Sequence, residues 1–162
     1  VKKYGIDPFR YYLLKEINPF KDGDFSWKRF EELYNSDLAN GLGNLVQRVS
    51  KLCERNQLKT ENSTTSTDFD KKVAKHTQQF EFHLALEQVW KLIQDADKII
   101  DEKKPWTLKG KEAHQVLLPL IHHIKLIAVN LAPFLPDTAE KIMDIFDQEI
   151  KAPNNPLFPR IK

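Results

Sequence analysis

Between residues 38 and 53 the apolar side chains Leu38, Leu42, Leu45, Val49, Leu52 and Cys53 recur at helical spacings of three and four. A period near 3.6 gathers them on one face; a strand would place successive side chains on opposite faces. Gly41, Asn44, Arg48, Lys51 and Arg55 fall on a separate polar face of the same segment. Comparable apolar periods recur along the chain, and no segment of any length follows a strand period. The sequence therefore predicts an all-α fold, an antiparallel helix bundle.

Proline, glycine and capping residues set the expected boundaries. Asp7 is expected to cap a first helix and Pro8 to occupy its first position, where the missing N–H costs nothing. That helix runs through Tyr11-Tyr12-Leu13-Leu14 and fails near Asn18-Pro19. A turn is predicted at 21–24, and Ser26 caps a helix over 27–34. Asn35-Ser36-Asp37 predicts a break, followed by a long helix to about Asn56. Residues 60–68 read as a polar loop. A helical stretch over 69–102 has Phe69, Val73, Phe80, Leu84, Val89, Ile93, Ala96 and Ile100 as its expected core. Lys103-Lys104-Pro105-Trp106 interrupts it. A helix over 111–131 carries Pro119, which should kink it or delay its regular start. Asp137 is expected to cap a last helix over 138–146, and an extended tail covers 153–162.

The length of 162 residues suits one domain, and 41% apolar with 30% charged residues excludes a disordered chain. With 25 basic and 23 acidic residues the net charge is only +2, so any nucleic-acid contact must be a local patch. One cysteine, Cys53, excludes an internal disulfide and fits an intracellular chain. No apolar run approaches the roughly 20 residues that span a bilayer. Val1-Lys2-Lys3-Tyr4 does not open a secretory signal, and Val1 in place of an initiator methionine reads as a cut through a longer polypeptide.

Most catalytic chemistries find no pattern here. The histidines His76, His83, His114, His122 and His123 share no metal-ligand spacing with one another or with Cys53. Cys53 lies on the apolar stripe and reads as a buried thiol. No glycine-rich phosphate loop occurs. The carboxylates of Asp95-Ala96-Asp97-Lys98 and Asp101-Glu102-Lys103 read as solvated surface. Asn44, Arg48 and Trp106 offer a more specific possibility. Asn44 and Arg48 are one turn apart, and an amide, a guanidinium and an indole together suit an unstacked nucleobase. Each also has an ordinary reading: Trp106 plugging the bundle end, Asn44 capping, Arg48 in a surface ion pair. Trp27 and Trp90 read as packing residues.

Longer motifs carry a resemblance. They are Tyr4-Gly5-Ile6-Asp7-Pro8-Phe9-Arg10-Tyr11-Tyr12-Leu13-Leu14, Asp22-Gly23-Asp24-Phe25-Ser26 and Tyr34-Asn35-Ser36-Asp37-Leu38-Ala39-Asn40-Gly41-Leu42-Gly43-Asn44-Leu45 with Arg48. Ala85-Leu86 with Trp90, Asp101-Glu102, Lys104-Pro105-Trp106, Leu131-Ala132-Pro133-Phe134-Leu135-Pro136 and Leu157-Phe158-Pro159-Arg160-Ile161 follow in order. This series resembles the bacterial methionyl-tRNA synthetases over essentially the whole chain. The resemblance implies an anticodon-binding helical domain over 1–162, with 1–20 at the junction to a catalytic domain and 153–162 as tail.

What the resemblance further implies is recognition of the CAU anticodon. Asn44 and Arg48 match positions that contact anticodon bases, Trp106 matches the one that stacks on the first base, a cytosine, and Pro105 orients it. Lys51, Arg55, Lys103 and Lys104 are candidate phosphate contacts by location. Expected partners are the initiator and elongator methionine tRNAs and the catalytic domain of the same chain, in the cytoplasm and without a membrane. The parent enzyme would use ATP with magnesium to join methionine to tRNA. No cofactor is expected in this stretch, which lacks the HIGH and KMSKS signatures and the catalytic residues. Two departures stand out: Asp97 replaces a family asparagine, and Pro119 interrupts a helix that relatives run unbroken. The other readings are the equivalent bundle of a sister synthetase and a helical interaction module without RNA.

Overall fold

The computed structural model describes residues 4–17, 23–60 and 69–161. The expected helix failure at Asn18-Pro19, the first half of the turn at 21–24 and the polar loop beyond Thr60 lie outside the described residues. Among the described residues the α-helices are α1 (Ile6–Glu16), α2 (Trp27–Leu33), α3 (Asn44–Arg55), α4 (Lys71–Gln78), α5 (Phe82–Lys103), α6 (Gly110–Leu131) and α7 (Pro136–Ile145). A π-helical segment, Tyr34–Gly43, joins α2 to α3, and a 3₁₀ turn, Pro105–Thr107, follows α5.

The break expected at Asn35-Ser36-Asp37 is absent. Leu33, Tyr34, Gly43 and Asn44 keep right-handed helical torsions, so the chain runs as one rod from Trp27 to Arg55 with a wide turn in its middle. Asp37 gains partners from α1 instead of ending the helix: Tyr11 donates to its carboxylate at 2.6 Å and Lys15 forms an ion pair with it. Gly43 fits the wide turn, since a Cβ there would stand 3.0 Å from the Leu38 carbonyl oxygen and 3.6 Å from the Phe158 ring. A short polar run next to glycine reads as a loop only until another helix supplies hydrogen-bond partners.

The capping predictions divide. Ser26 caps α2, its Oγ accepting from the N–H of Arg29 at 3.3 Å. Asp7 does not cap α1, which starts from Gly5 at φ 82°. Its buried carboxylate accepts from the backbone N–H and the Oγ–H of Thr138, at 2.7 and 2.6 Å. It therefore neutralises the first turn of α7 from the far end of the chain, and Asp137 stays exposed in that turn without capping it.

Residues 69–102 form two helices, not one. Gln79 and Phe80 turn the chain, with Phe80 at φ 58° and its ring in solvent rather than in the core. Phe69 and Leu84 are half-buried, and Val73, Val89, Ile93, Ala96 and Ile100 are buried as expected. Trp27 is largely exposed and packs edge-on to Phe9, Phe25 and Phe30 rather than filling the interior. Pro119 does not delay α6; it and Gln115, whose carbonyl loses its helical donor, both lie on the exposed face.

Helices α4, α5, α6 and α7 follow one another in antiparallel hairpins, tied by side chains. His123 donates through Nε2 to the Leu92 carbonyl at 2.8 Å, joining α6 to α5. His114 donates through Nε2 to the Asn56 carbonyl at 3.2 Å, joining α6 to the end of α3. The core runs through Leu42, Leu45, Val49, Ile93, Leu117 and Ile124. The tail docks against the π-helical segment: Asn35 donates to the Ile161 carbonyl at 3.0 Å and accepts from its N–H at 2.9 Å.

Cys53 is fully buried on α3, and burial pushes its thiol up to about 12. The native protein is expected to resist a thiol reagent at about pH 8 and to label only on unfolding. Stoichiometric labelling of the folded protein, followed by mass spectrometry, would contradict that placement.

Candidate nucleic-acid interface

Helices α3 and α5 lie side by side and, unlike their hairpin neighbours, run parallel. Three contacts rise together along both. A Cβ on Gly41 would stand 3.9 Å from Trp90 Nε1. Arg48 reaches Asp97 and Asp101, its Nη1 and Nη2 each donating at 3.4 Å. Arg55 Nη2 donates to the carbonyls of Pro105 and Trp106, at 3.5 and 3.2 Å. The groove between these helices thus leads from Trp90 past Arg48 to Trp106, and Asn44 lies exposed on its α3 rim.

Trp106 is positioned by a chain of local causes. Lys104 ends α5 in the left-handed region at φ 46°, which redirects the backbone. Pro105 then opens a tight turn and is itself buried. Thr107 closes that turn on the Lys104 carbonyl through both its N–H at 2.9 Å and its hydroxyl at 2.8 Å. Arg55 braces the next two carbonyls from α3. Held by its backbone, Trp106 leaves 45% of its surface in solvent. It is not a plug for the bundle end: the indole is only partly covered, and the turn leaves it open to solvent.

Asn44, Arg48 and Trp106 are brought to one groove but not to one point. Arg55 marks the level of Trp106, and Asn44 lies eleven residues before it on α3, about 16 Å of helix axis at 1.5 Å per residue. Such a span matches a short run of nucleotides rather than a single base. Lys51, Lys103 and Lys104 are exposed on the rims, free to meet phosphates. Arg55 differs from them, since its guanidinium already serves the Trp106 turn. An open concavity of about 530 Å³ lies beside that turn, lined by Arg55, Asn56, Gln57, Lys109 and Gly110.

The carboxylates facing Arg48 are not merely solvated surface. Asp97 is half-buried between α5 and α3, and burial pushes its carboxyl above the ordinary range, with Arg48 opposing the shift and Asp101 adding to it. Asp101 is the more open of the two. Their spacing in sequence held the clue: Asp97 and Asp101 are one turn apart, as are Asn44 and Arg48, so two complementary i,i+4 pairs could face each other across parallel helices.

Two family models match the chain. One described as "tRNA synthetases class I (M)" covers residues 1–50, and one described as "Anticodon-binding domain of tRNA ligase" covers residues 64–160. The methionine–tRNA ligase of Fusobacterium nucleatum is 41% identical over 159 residues, covering 88% of this chain and 25% of that protein. The Bacillus subtilis methionine–tRNA ligase is 33% identical over 200 residues, covering 100% of this chain and 30% of that protein. The chain spans roughly a quarter to a third of the length of these relatives. Among solved structures, the free methionyl-tRNA synthetase of Mycobacterium tuberculosis superposes with a TM-score of 0.78 at 24% identity, over 99% of this chain and 40% of that one. The same enzyme in complex with methionyl-adenylate superposes with a TM-score of 0.73 at 26% identity, over 98% of this chain and 38% of that one.

Proposed function

The chain belongs to the anticodon-binding domain family of tRNA ligases, in the form carried by methionine–tRNA ligases, and from that premise we propose that it reads the CAU anticodon of initiator and elongator methionine tRNAs. The longer cytoplasmic enzyme of which it is part would activate methionine with ATP and magnesium and join it to the tRNA. Those steps fall to the catalytic domain, and this chain supplies recognition.

The observation that carries the reading is the exposed indole of Trp106 on a turn braced by Arg55, at the end of a groove that also holds Arg48. The first anticodon base, cytosine, stacks on Trp106. The neighbouring bases lie back along the groove toward Arg48 and Asn44, which meet their polar edges. Lys51, Lys103 and Lys104 meet the phosphates, and Pro105 fixes the orientation of the indole. A base stack contributes about 1–3 kcal/mol, so the loop must bind through several such contacts together. Electrostatic attraction adds little at a net charge of +2.

Tryptophan fluorescence tests the proposal. A methionine anticodon stem-loop is expected to quench the emission, and the quenching should vanish in Trp106→Phe while Trp27 and Trp90 keep their signals. Equal quenching by a loop of scrambled sequence would reduce the site to nonspecific RNA contact, and no quenching would remove the RNA role.

A further inference from the structure

We propose that helix α4 and the turn that ends it form a second RNA-contacting face. Its lysines meet phosphates, and its exposed Phe80 takes an unpaired base of the tRNA outside the anticodon hairpin. This inference rests on the reading of the chain as a tRNA-binding domain. The face lies at the opposite end of α5 from Trp106. Helix α5 has 22 residues, so about 33 Å of helix axis separates the two.

Lys71, Lys72 and Lys75 are exposed along α4, while Val73 is fully buried and anchors the helix. Lys71 and Lys75 are one turn apart and leave the same side. No ion pair among the described residues engages any of the three. The acids at the two ends of α4 are already engaged. Asp70 caps it, Oδ1 accepting from the N–H of Lys72 at 2.8 Å and of Val73 at 3.1 Å. Glu81 accepts from His76 Nδ1 at 2.7 Å. In a chain of net charge +2 this short helix is a local excess of positive charge.

Phe80 supplies an independent observation. Its ring keeps 62% of its surface in solvent, the largest share among the exposed large apolar residues described. Its backbone stands at φ 58°, a left-handed conformation that a bulky side chain rarely adopts. The turn is held by hydrogen bonds: the Phe80 N–H donates to the Thr77 carbonyl at 3.1 Å and the Glu81 N–H to the His76 carbonyl at 2.9 Å, and the His76–Glu81 pair closes it. Phe82 meets the ring edge-on, with centroids 6.0 Å apart. Glycine would form this turn with less strain, and a polar side chain would meet the water without exposing apolar surface. An aromatic ring held in solvent beside free ammonium groups is instead the combination that binds unpaired nucleotides, through stacking and phosphate contacts. The lysines alone would suit any polyanion. The ring adds a stacking platform, and the partner proposed for the groove is already an RNA.

The test measures binding of the intact protein to whole methionine tRNA and to its anticodon hairpin over a range of salt. The wild type is expected to bind the whole tRNA about tenfold more tightly than the hairpin. Joint replacement by Lys71→Ala, Lys72→Ala and Lys75→Ala should remove most of that advantage, lower the log–log salt slope for tRNA by about two to three, and leave hairpin affinity unchanged. Alanine favours helix, so α4 persists in this variant. The same loss of three charges at the exposed Lys59, Lys141 and Lys151 should have a much smaller effect. Phe80→Gly should weaken tRNA binding about fivefold while its thermal midpoint stays at or above that of the wild type, because glycine adopts positive φ freely. Equal affinity of the wild type for tRNA and hairpin would overturn the proposal and leave the anticodon reading intact. Equal losses in the two triple variants, a loss shared by the hairpin, or unchanged tRNA affinity in Phe80→Gly would each overturn it as well. Failure of the wild type to bind either RNA would overturn the anticodon reading and this inference together.

Discussion

Trp106→Ala is expected to weaken binding of a CAU stem-loop by about tenfold or more, with a thermal midpoint close to that of the wild type. The two halves of this expectation have separate causes. With 45% of its surface in solvent, the indole contributes little to the core. The turn that carries it is held through the Lys104, Pro105 and Trp106 carbonyls, all of which alanine retains. What alanine removes is the stacking face, worth about 1–3 kcal/mol per base. Titration of the folded variant with a labelled hairpin decides the matter. Unchanged affinity would rule out a stacked base at this position, and a large drop in stability would show the indole to be structural after all.

Asp37→Asn should produce the largest loss of stability among the polar substitutions considered, about 3 kcal/mol at neutral pH. Asp37 ties the π-helical segment to α1. It accepts from Tyr11 of α1 at 2.6 Å and from neighbouring Ser36 at 2.7 Å, and it pairs with Lys15 of α1. Lys15 in turn donates to the Tyr11 hydroxyl at 2.8 Å and sits over the rings of Tyr11 and Trp90, 5.2 and 5.6 Å from their centroids. Asparagine would leave a half-buried ammonium without its counter-ion. Burial alone would push the Asp37 carboxyl up, but hydrogen bonds from Lys15, Tyr11 and Ser36 more than offset it and hold the carboxyl below the ordinary range. A depressed folded-state value contributes stability above the unfolded value, near 4, and loses it as pH falls through the folded value. The wild type and Asp37→Asn should therefore converge in stability in strong acid. Denaturant melts at neutral and acidic pH measure the gap, and a gap that stays constant would exclude the ion pair as its cause. Tyr11 does not titrate in this range, because burial and then the Asp37 charge push its hydroxyl far above the ordinary tyrosine value.

The clamp around Asp37 matters to the groove as well as to stability. It locks α1 onto the wide turn that feeds directly into α3, where Asn44 and Arg48 reside.

Sequence and structure divided the work along a clear physical line. Repeating apolar spacing fixed the helices, because burial of one face depends only on which side of a 3.6-residue turn each side chain leaves. Leu38, Leu42, Leu45, Val49 and Cys53 are buried as that period required, and Lys103-Lys104-Pro105 ends α5 where the proline forbade continuation. Family motifs singled out Asn44, Arg48 and Trp106 as site candidates. Three of the misjudged features depend on partners distant in the chain. Asp7 caps a helix that begins near residue 136, Asn35-Ser36-Asp37 stays helical because α1 supplies donors, and Asp97 turns inward because Arg48 lies across the groove. Only the parallel placement of α3 against α5 decided that Trp106 stands exposed at the end of that groove, with Arg55 beneath it. Local spacing sets which face of a helix is apolar, whereas a polar side chain takes its role from whichever charge the packed fold brings within a few ångströms, and no single segment encodes that neighbour.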